Sequence, residues 1–78
     1  MRDIITGIIR RSGDMWYAEE DDRPMFIASG GSLMDVQNGI NDFYSKELGT
    51  DYFEIQYKRM NYGVKFVIIN GGRWSADW

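Results

Sequence analysis

The order of apolar and polar residues along the chain begins with a pattern typical of a buried β-strand. Residues 3–11 predict an extended segment in which Ile4 and Ile8 lie on one face, while Ile5 and Ile9 lie on the other. A strand that is apolar on both faces is usually central in a sheet or covered on both sides. The first strand is therefore expected to be central in the sheet or covered on both faces.

Two shorter strands follow. The Ser-Gly-Asp sequence at 12–14 predicts a turn, and residues 15–19 return as the second strand of a hairpin. The acidic run at 19–22 predicts a charged, solvated loop. Pro24 ends this loop, because a missing N–H costs little at the beginning of a strand, and residues 25–29 form the third strand.

A junction near the middle of the chain predicts the change from sheet to helix. Gly30 and Gly31 break the extended structure. Ser32 can then cap a helix with its side-chain oxygen, and Asp35 stands three residues later, where a carboxylate can reach back toward the cap. The only predicted helix therefore begins here.

The helix is expected over residues 32–48, with Gly49 as its C-terminal stop. Gly39, inside it, costs roughly 1 kcal/mol relative to alanine and predicts the close approach of another element. One apolar stripe, with Tyr44 at its edge, follows helical spacing: Leu33, Val36, Ile40, Phe43 and Leu48.

The remaining residues complete an α+β fold. Residues 52–60 alternate in polarity, as expected for a strand with one covered face, and residues 64–70 form a final, very apolar strand. We predict a single domain over residues 1–78, with one antiparallel sheet of about five strands, one helix packed on it, and the order β-β-β-α-β-β. Residues 71–78 form an aromatic C-terminal tail without periodicity.

Composition adds an expectation about assembly. A domain of 78 residues buries a modest fraction of its surface, and without cysteine it has neither disulfides nor a thiolate metal site. The chain is 15% aromatic, so dense aromatic packing and association can compensate. We therefore predict a homo-oligomer, most simply a homodimer.

Charge and hydropathy limit the kinds of partner that the chain is expected to bind. The net charge is −3, and the only adjacent basic pairs are Arg10–Arg11 and Lys58–Arg59, which argues against direct nucleic-acid binding. No apolar run has the length of a membrane span, and no signal peptide is evident. The expected location is cytoplasmic, with no membrane partner.

The residues that usually carry catalysis are scarce. Histidine and cysteine are absent, and no nucleophile-elbow motif is present, so we predict that the protein is not an enzyme and needs no cofactor. The acidic run at 19–22 could hold a hard cation, but four consecutive carboxylates cannot all converge. Gly30 and Gly31 could cradle a phosphate, but a simple turn into a capped helix explains them as well.

The candidate binding residues are aromatic and basic. Trp74 and Trp78 in the tail, with Arg73 beside them, are residue types common in interface hot spots. Either they form an interface or the tail covers the sheet of its own chain. Trp16 and Tyr62, in the two hairpins, are further candidate binding residues, because exposed rings can also stack on the base of a small nucleotide ligand.

The strands up to residue 60 and the helix junction resemble HicB-like antitoxins. In that family a β-β-β-α-β domain carries a glycine, a capping Ser or Thr and an acidic residue at the start of its helix. Gly30, Ser32, Leu33 and Asp35 occupy those places here. The hairpin sequence Ser-Gly-Asp-Met-Trp-Tyr-Ala and the helical sequence Asn-Asp-Phe-Tyr also resemble the family.

The resemblance implies a non-catalytic module that inhibits a protein target and oligomerises. The acidic sequence at 19–24 replaces a Pro- and Gly-rich segment of the family, and no DNA-binding module accompanies the domain, which argues against autorepression. The alternative is a small phage-type anti-defence protein. Such a protein inhibits a host factor or sequesters a nucleotide ligand between subunits.

Overall fold

The computed structural model describes residues 4–71 and confirms the predicted α+β architecture. The elements are β1 (Ile4–Ser12), β2 (Met15–Glu20), β3 (Arg23–Gly30), α1 (Leu33–Leu48), β4 (Phe53–Met60) and β5 (Gly63–Asn70). The five strands form one antiparallel sheet in the order β3-β2-β1-β5-β4. As the isoleucines on both faces predicted, β1 is the central strand. Its two neighbours are β2, which follows it through a tight hairpin, and β5, which a second tight hairpin joins to β4.

The helix begins and ends where the local chemistry requires. The Ser32 side chain accepts a hydrogen bond from the Asp35 backbone N–H at 3.2 Å, which satisfies one of the donors that the first turn leaves without an intrahelical partner. At the other end, Gly49 adopts a left-handed conformation with φ of 68°. The predicted bounds of the helix are therefore confirmed.

The helix packs on one face of the sheet, mainly over β3 and β2. Gly39 faces Ala28, and a Cβ on Gly39 would lie 2.9 Å from the Ala28 Cβ, which confirms the predicted close approach. The core joins this helix face to the centre of the sheet. Its buried members are Ile5, Ile9, Ala18, Ile27, Val36, Ile40, Tyr44, Val64, Phe66 and Ile68.

The predicted charged loop at 19–22 is wrong in its first half, because β2 extends through Glu20. Glu20 is only 3% exposed, and its Oε1 accepts a hydrogen bond of 2.8 Å from the hydroxyl of Tyr44, itself fully buried. Arg23 lies 3.5 Å from Glu20 Oε2 and also pairs with Glu47 of the helix. A buried carboxylate is tolerable when it is hydrogen-bonded and paired in this way.

The third strand also begins earlier than predicted. It begins at Arg23 rather than at residue 25, and Pro24 lies within it. This strand is the edge of the sheet, where proline is tolerated because an edge strand does not use every backbone N–H in a ladder. The pairing of β2 with β3 shifts register between Ala18 and Glu19 and again between Glu19 and Glu20, and Pro24 falls in the second shift, where it has no partner in the register.

Candidate functional site

A shallow cleft of about 290 Å³ lies at one end of the sheet. At this end the β1–β2 and β4–β5 hairpins turn, and β3 passes into the helix. The cleft opens on the helix-bearing side, next to Val64. It is lined by Arg11, Trp16, Arg59, Met60, Asn61, Tyr62, Gly63 and Val64.

Trp16 and Arg11 form one wall of the cleft. The two residues are cross-strand partners in the β1–β2 hairpin, so their side chains project from the same face of the sheet. Trp16 is partly buried against the core, and the Arg11 guanidinium lies 5.8 Å from the centre of its ring. The Nε of Arg11 donates a hydrogen bond of 2.9 Å to the Gly13 carbonyl. Both side chains are thereby held in place.

Arg59 and Tyr62 form the opposite wall. Arg59 pairs with Val64 across β4 and β5, which places it on the helix-bearing face in continuation of Ile55 and Tyr57. Tyr62 lies in the two-residue turn between these strands, and it is 61% exposed. The cleft therefore combines two guanidinium groups with an indole and a phenol.

Several basic residues lie at this end of the sheet, although the whole chain carries −3. Within residues 4–71, neither Arg11 nor Arg59 forms an ion pair with a carboxylate. Three further basic residues lie nearby on the opposite face of the same strands: Arg10, Lys58 and Lys65. The two adjacent basic pairs of the sequence, Arg10–Arg11 and Lys58–Arg59, thus lie at the same end of the sheet.

A second, smaller cleft of about 170 Å³ lies near the same end of the sheet. Its lining comprises Gly7, Ile8, Arg10, Asp21, Tyr62 and Lys65. The Asp21 carboxylate in this lining accepts a hydrogen bond of 2.6 Å from the Thr6 hydroxyl, and it adds a negative charge to a lining that also contains Arg10 and Lys65. Tyr62 lines both clefts, which places its ring at the boundary between the two surfaces.

The structure brings together two of the five predicted binding residues, Trp16 and Tyr62. The other three, Arg73, Trp74 and Trp78, lie outside the described residues, so their assignment stays a prediction. Sequence reasoning missed Arg11 and Arg59. The alternation of the strands contained a signal for both, because Arg11 follows Ile9, and Arg59 follows Tyr57, at a spacing of two.

The face of the sheet opposite the helix, called here the open face, carries exposed apolar side chains on β1 to β3, whereas Val67 and Ile69 of β5 are buried on the same face, at 5% and 0% exposed. Phe26 is 62% exposed and Ile4 is 45% exposed. The centres of the Phe26 ring and of the Tyr17 ring on the neighbouring strand are 4.9 Å apart. Met15, which is 38% exposed, lies two residues before Tyr17 on the same face of β2. The exposed apolar surface is therefore concentrated toward β2 and the edge strand β3.

The acidic run does not form a common site, since its carboxylates diverge. Glu20 points into the core, where it meets Tyr44, whereas the Asp21 carboxylate bonds to Thr6 on β1. Within residues 4–71, no three metal-ligating side chains come together. The Gly30–Gly31 junction is occupied in part by Asp35, whose Cβ lies 2.5 Å from the position of a Cβ on Gly30.

Tyr57 is a titratable group whose environment shifts its pKa. It lies on the helix-bearing face of β4, partly buried against the core. Burial raises the pKa of the Tyr57 phenol above its usual value, because the charged phenolate is poorly solvated there. Tyr57 is therefore a neutral packing residue at physiological pH.

Comparisons of the chain with protein-family models, with curated proteins and with solved structures give no match. The HicB-like resemblance thus stays a prediction drawn from the sequence. Among the described residues, no helix is both long enough and apolar enough to cross a bilayer.

Proposed function

We propose that this protein is a non-catalytic, partner-binding inhibitor module of the HicB-like antitoxin type that acts as a homo-oligomer. The observation that carries the proposal is the apolar open face, on which the exposed Phe26 ring packs against the partly buried ring of Tyr17. Exposed aromatic residues in a cluster are typical of protein interfaces. A domain of this size also gains stability from covering such a surface.

The edge strand β3 supports the same proposal. Phe26 and Met25 lie on it, and they are 62% and 50% exposed. An edge strand offers backbone groups to an added strand, and flanking apolar side chains give the contact specificity. The open face and this edge together form a continuous surface for protein contacts.

The test replaces Phe26 with lysine and measures the oligomeric state by light scattering at micromolar concentration. We expect the parent chain to be a homo-oligomer and Phe26→Lys to dissociate toward the monomer. Tyr52→Lys is the matched control, because Tyr52 is equally exposed, at 62%, but precedes β4 at the opposite edge of the sheet. A monomeric parent chain, or equal effects of the two substitutions, contradicts the assignment of this surface.

The inhibitory role is tested by co-expression with the product of the neighbouring reading frame. If that product arrests growth, the parent chain and Tyr52→Lys are expected to relieve the arrest, whereas Phe26→Lys does not. A neighbour without toxicity, or relief by all three chains, contradicts an antitoxin that acts through the open face.

A second candidate is the small phage-type anti-defence protein that inhibits a host factor or sequesters a nucleotide ligand between subunits. The cleft favours it, because two guanidinium groups and two aromatic rings line one concavity. Native mass spectrometry of the freshly purified protein tests it directly. A co-purified nucleotide supports sequestration, and a bare chain contradicts it.

A further inference from the structure

We infer that the cleft between the two hairpins binds a mononucleotide, with its base against Trp16 and Tyr62 and its phosphate between Arg11 and Arg59. The inference deepens the sequestration candidate, on which it rests, by naming the site and the ligand class. It is independent of the antitoxin proposal, because Phe26 lies on the opposite face of the sheet.

The base-binding part of the cleft is aromatic on two sides. Trp16 is fixed by contact with the core and by its position opposite Arg11 in the hairpin, so its ring is ordered before a ligand arrives. Tyr62 is exposed in the opposite turn. Bases stack on such rings regardless of their hydrogen-bonding pattern, and a preorganised ring loses little entropy on binding.

The phosphate-binding part consists of Arg11 and Arg59. The Arg11 Nε donates a hydrogen bond to the Gly13 carbonyl, which orients the guanidinium. The two terminal amino groups of Arg11 can then donate to a phosphate. Carboxylates of residues 4–71 neutralise neither arginine. Two guanidinium groups can bind one phosphate through several charge-assisted hydrogen bonds, which suits the fork geometry of arginine.

Spacing and size agree with one nucleotide. Arg59 is level with Ile9 across β5, and Arg11 lies two residues further along β1, so the two backbones are about 12 Å apart, a distance that two long side chains can bridge around a phosphate. The cleft volume of about 290 Å³ lies at the lower end of the range for small-molecule sites. It accommodates one ring system and one phosphate rather than a longer oligonucleotide.

The experiment is a calorimetric titration of the full chain with adenosine monophosphate, inorganic phosphate and a short single-stranded oligothymidylate. We expect adenosine monophosphate to bind more tightly than phosphate. Arg59→Gln is expected to weaken that binding by roughly tenfold or more, as the loss of a charge-assisted hydrogen bond predicts. Tyr62→Ala should weaken binding of the nucleotide but not of phosphate.

Lys46→Gln is the matched control for charge. It removes one positive charge from the last turn of the helix, outside the residues that line the cleft, and should change the affinity by less than about twofold. All these substitutions are at surface positions, and a thermal scan of each variant verifies that it is folded.

Four outcomes overturn the inference. They are no binding of adenosine monophosphate at millimolar concentration, equal affinity for phosphate, equal effects of Arg59→Gln and Lys46→Gln, and tighter binding of the oligothymidylate. Binding of adenosine monophosphate that responds to the variants, with no nucleotide co-purified from cells, supports the inference and removes sequestration as the function.

Discussion

At the scale of single residues, the pairing of Tyr44 with Glu20 is the most consequential contact. Both side chains are buried, and the Tyr44 hydroxyl donates to the Glu20 carboxylate at 2.8 Å. This bond ties the helix to β2, while Arg23 connects the same carboxylate to Glu47. The helix is therefore fixed on the sheet by a polar network as well as by apolar packing.

We expect Tyr44→Phe to lower the free energy of unfolding by about 1–3 kcal/mol, because the buried Glu20 carboxylate loses a hydrogen-bond donor. Urea denaturation followed by circular dichroism measures the change. Tyr52→Phe is the control: Tyr52 is exposed, so the same loss of a hydroxyl should cost less than about 0.5 kcal/mol. Equal effects of the two substitutions would show that the buried bond contributes nothing.

Tyr57 provides a prediction about alkaline pH. Its pKa is raised above about 10 by burial, whereas unfolding returns the phenol to its ordinary value. Its contribution to stability is therefore complete below the unfolded pKa and is lost as pH rises through the folded pKa. Urea titrations at neutral pH and at pH about 10.5 should show a smaller alkaline loss for Tyr57→Phe than for the parent chain. Identical losses would contradict the assignment.

At the scale of elements, the packing of α1 on β3 depends on Gly39. Helix propensity alone predicts that Gly39→Ala stabilises the helix by roughly 1 kcal/mol. The structure predicts the opposite sign, because the new methyl group would lie 2.9 Å from the Ala28 Cβ and push the helix away from the sheet. We expect a net destabilisation of about 1–3 kcal/mol in urea denaturation.

The pair Gly39→Ala and Ala28→Gly separates the two effects. Exchanging the methyl group between strand and helix removes the clash while it keeps the improved propensity, so the double variant should recover part of the lost stability. If the changes in the free energy of unfolding were strictly additive, the contact between residues 39 and 28 would not limit how closely α1 packs on β3.

At the scale of the whole molecule, the two faces of the sheet have different proposed roles. The helix-bearing face contains the core and ends in the cleft, whereas the open face carries the exposed Phe26 ring against that of Tyr17. A homo-oligomer that uses the open face leaves the cleft accessible in each subunit. Protein association and ligand binding can therefore be separated experimentally.

The tail gives a further prediction at this scale. Trp74, Trp78 and Arg73 are expected to belong to an interface, because each indole offers roughly 200 Å² to bury and arginine beside tryptophan is common in hot spots. Truncation after Gly72 should leave a folded domain with weaker association, measured by analytical ultracentrifugation. A full-length chain that is a stable monomer, with a truncated chain that does not fold at any concentration, would show that the tail belongs to the core.

Local sequence patterns were sufficient for the elements of this fold. The isoleucines of β1 indicated a central strand, and the alternation of β4 indicated that one of its faces is covered. Ser32 and Gly49 indicated the two ends of the helix. These features depend on interactions within a few residues, so they can be inferred without knowledge of the fold. The end of β2 could not be inferred in this way, because Glu20 is stabilised by Tyr44, which lies on the helix, far away in the sequence.

What the sequence by itself determined is the set of strands, the capped helix and their order. Only the tertiary structure decided that Arg11 and Arg59 share a cleft with Trp16 and Tyr62, since β5 aligns two hairpins that are far apart in the chain. Side-chain spacing along one strand shows which face a residue occupies, but register between strands decides which residues meet. For this reason the fold followed from the sequence, whereas the candidate site required the sheet.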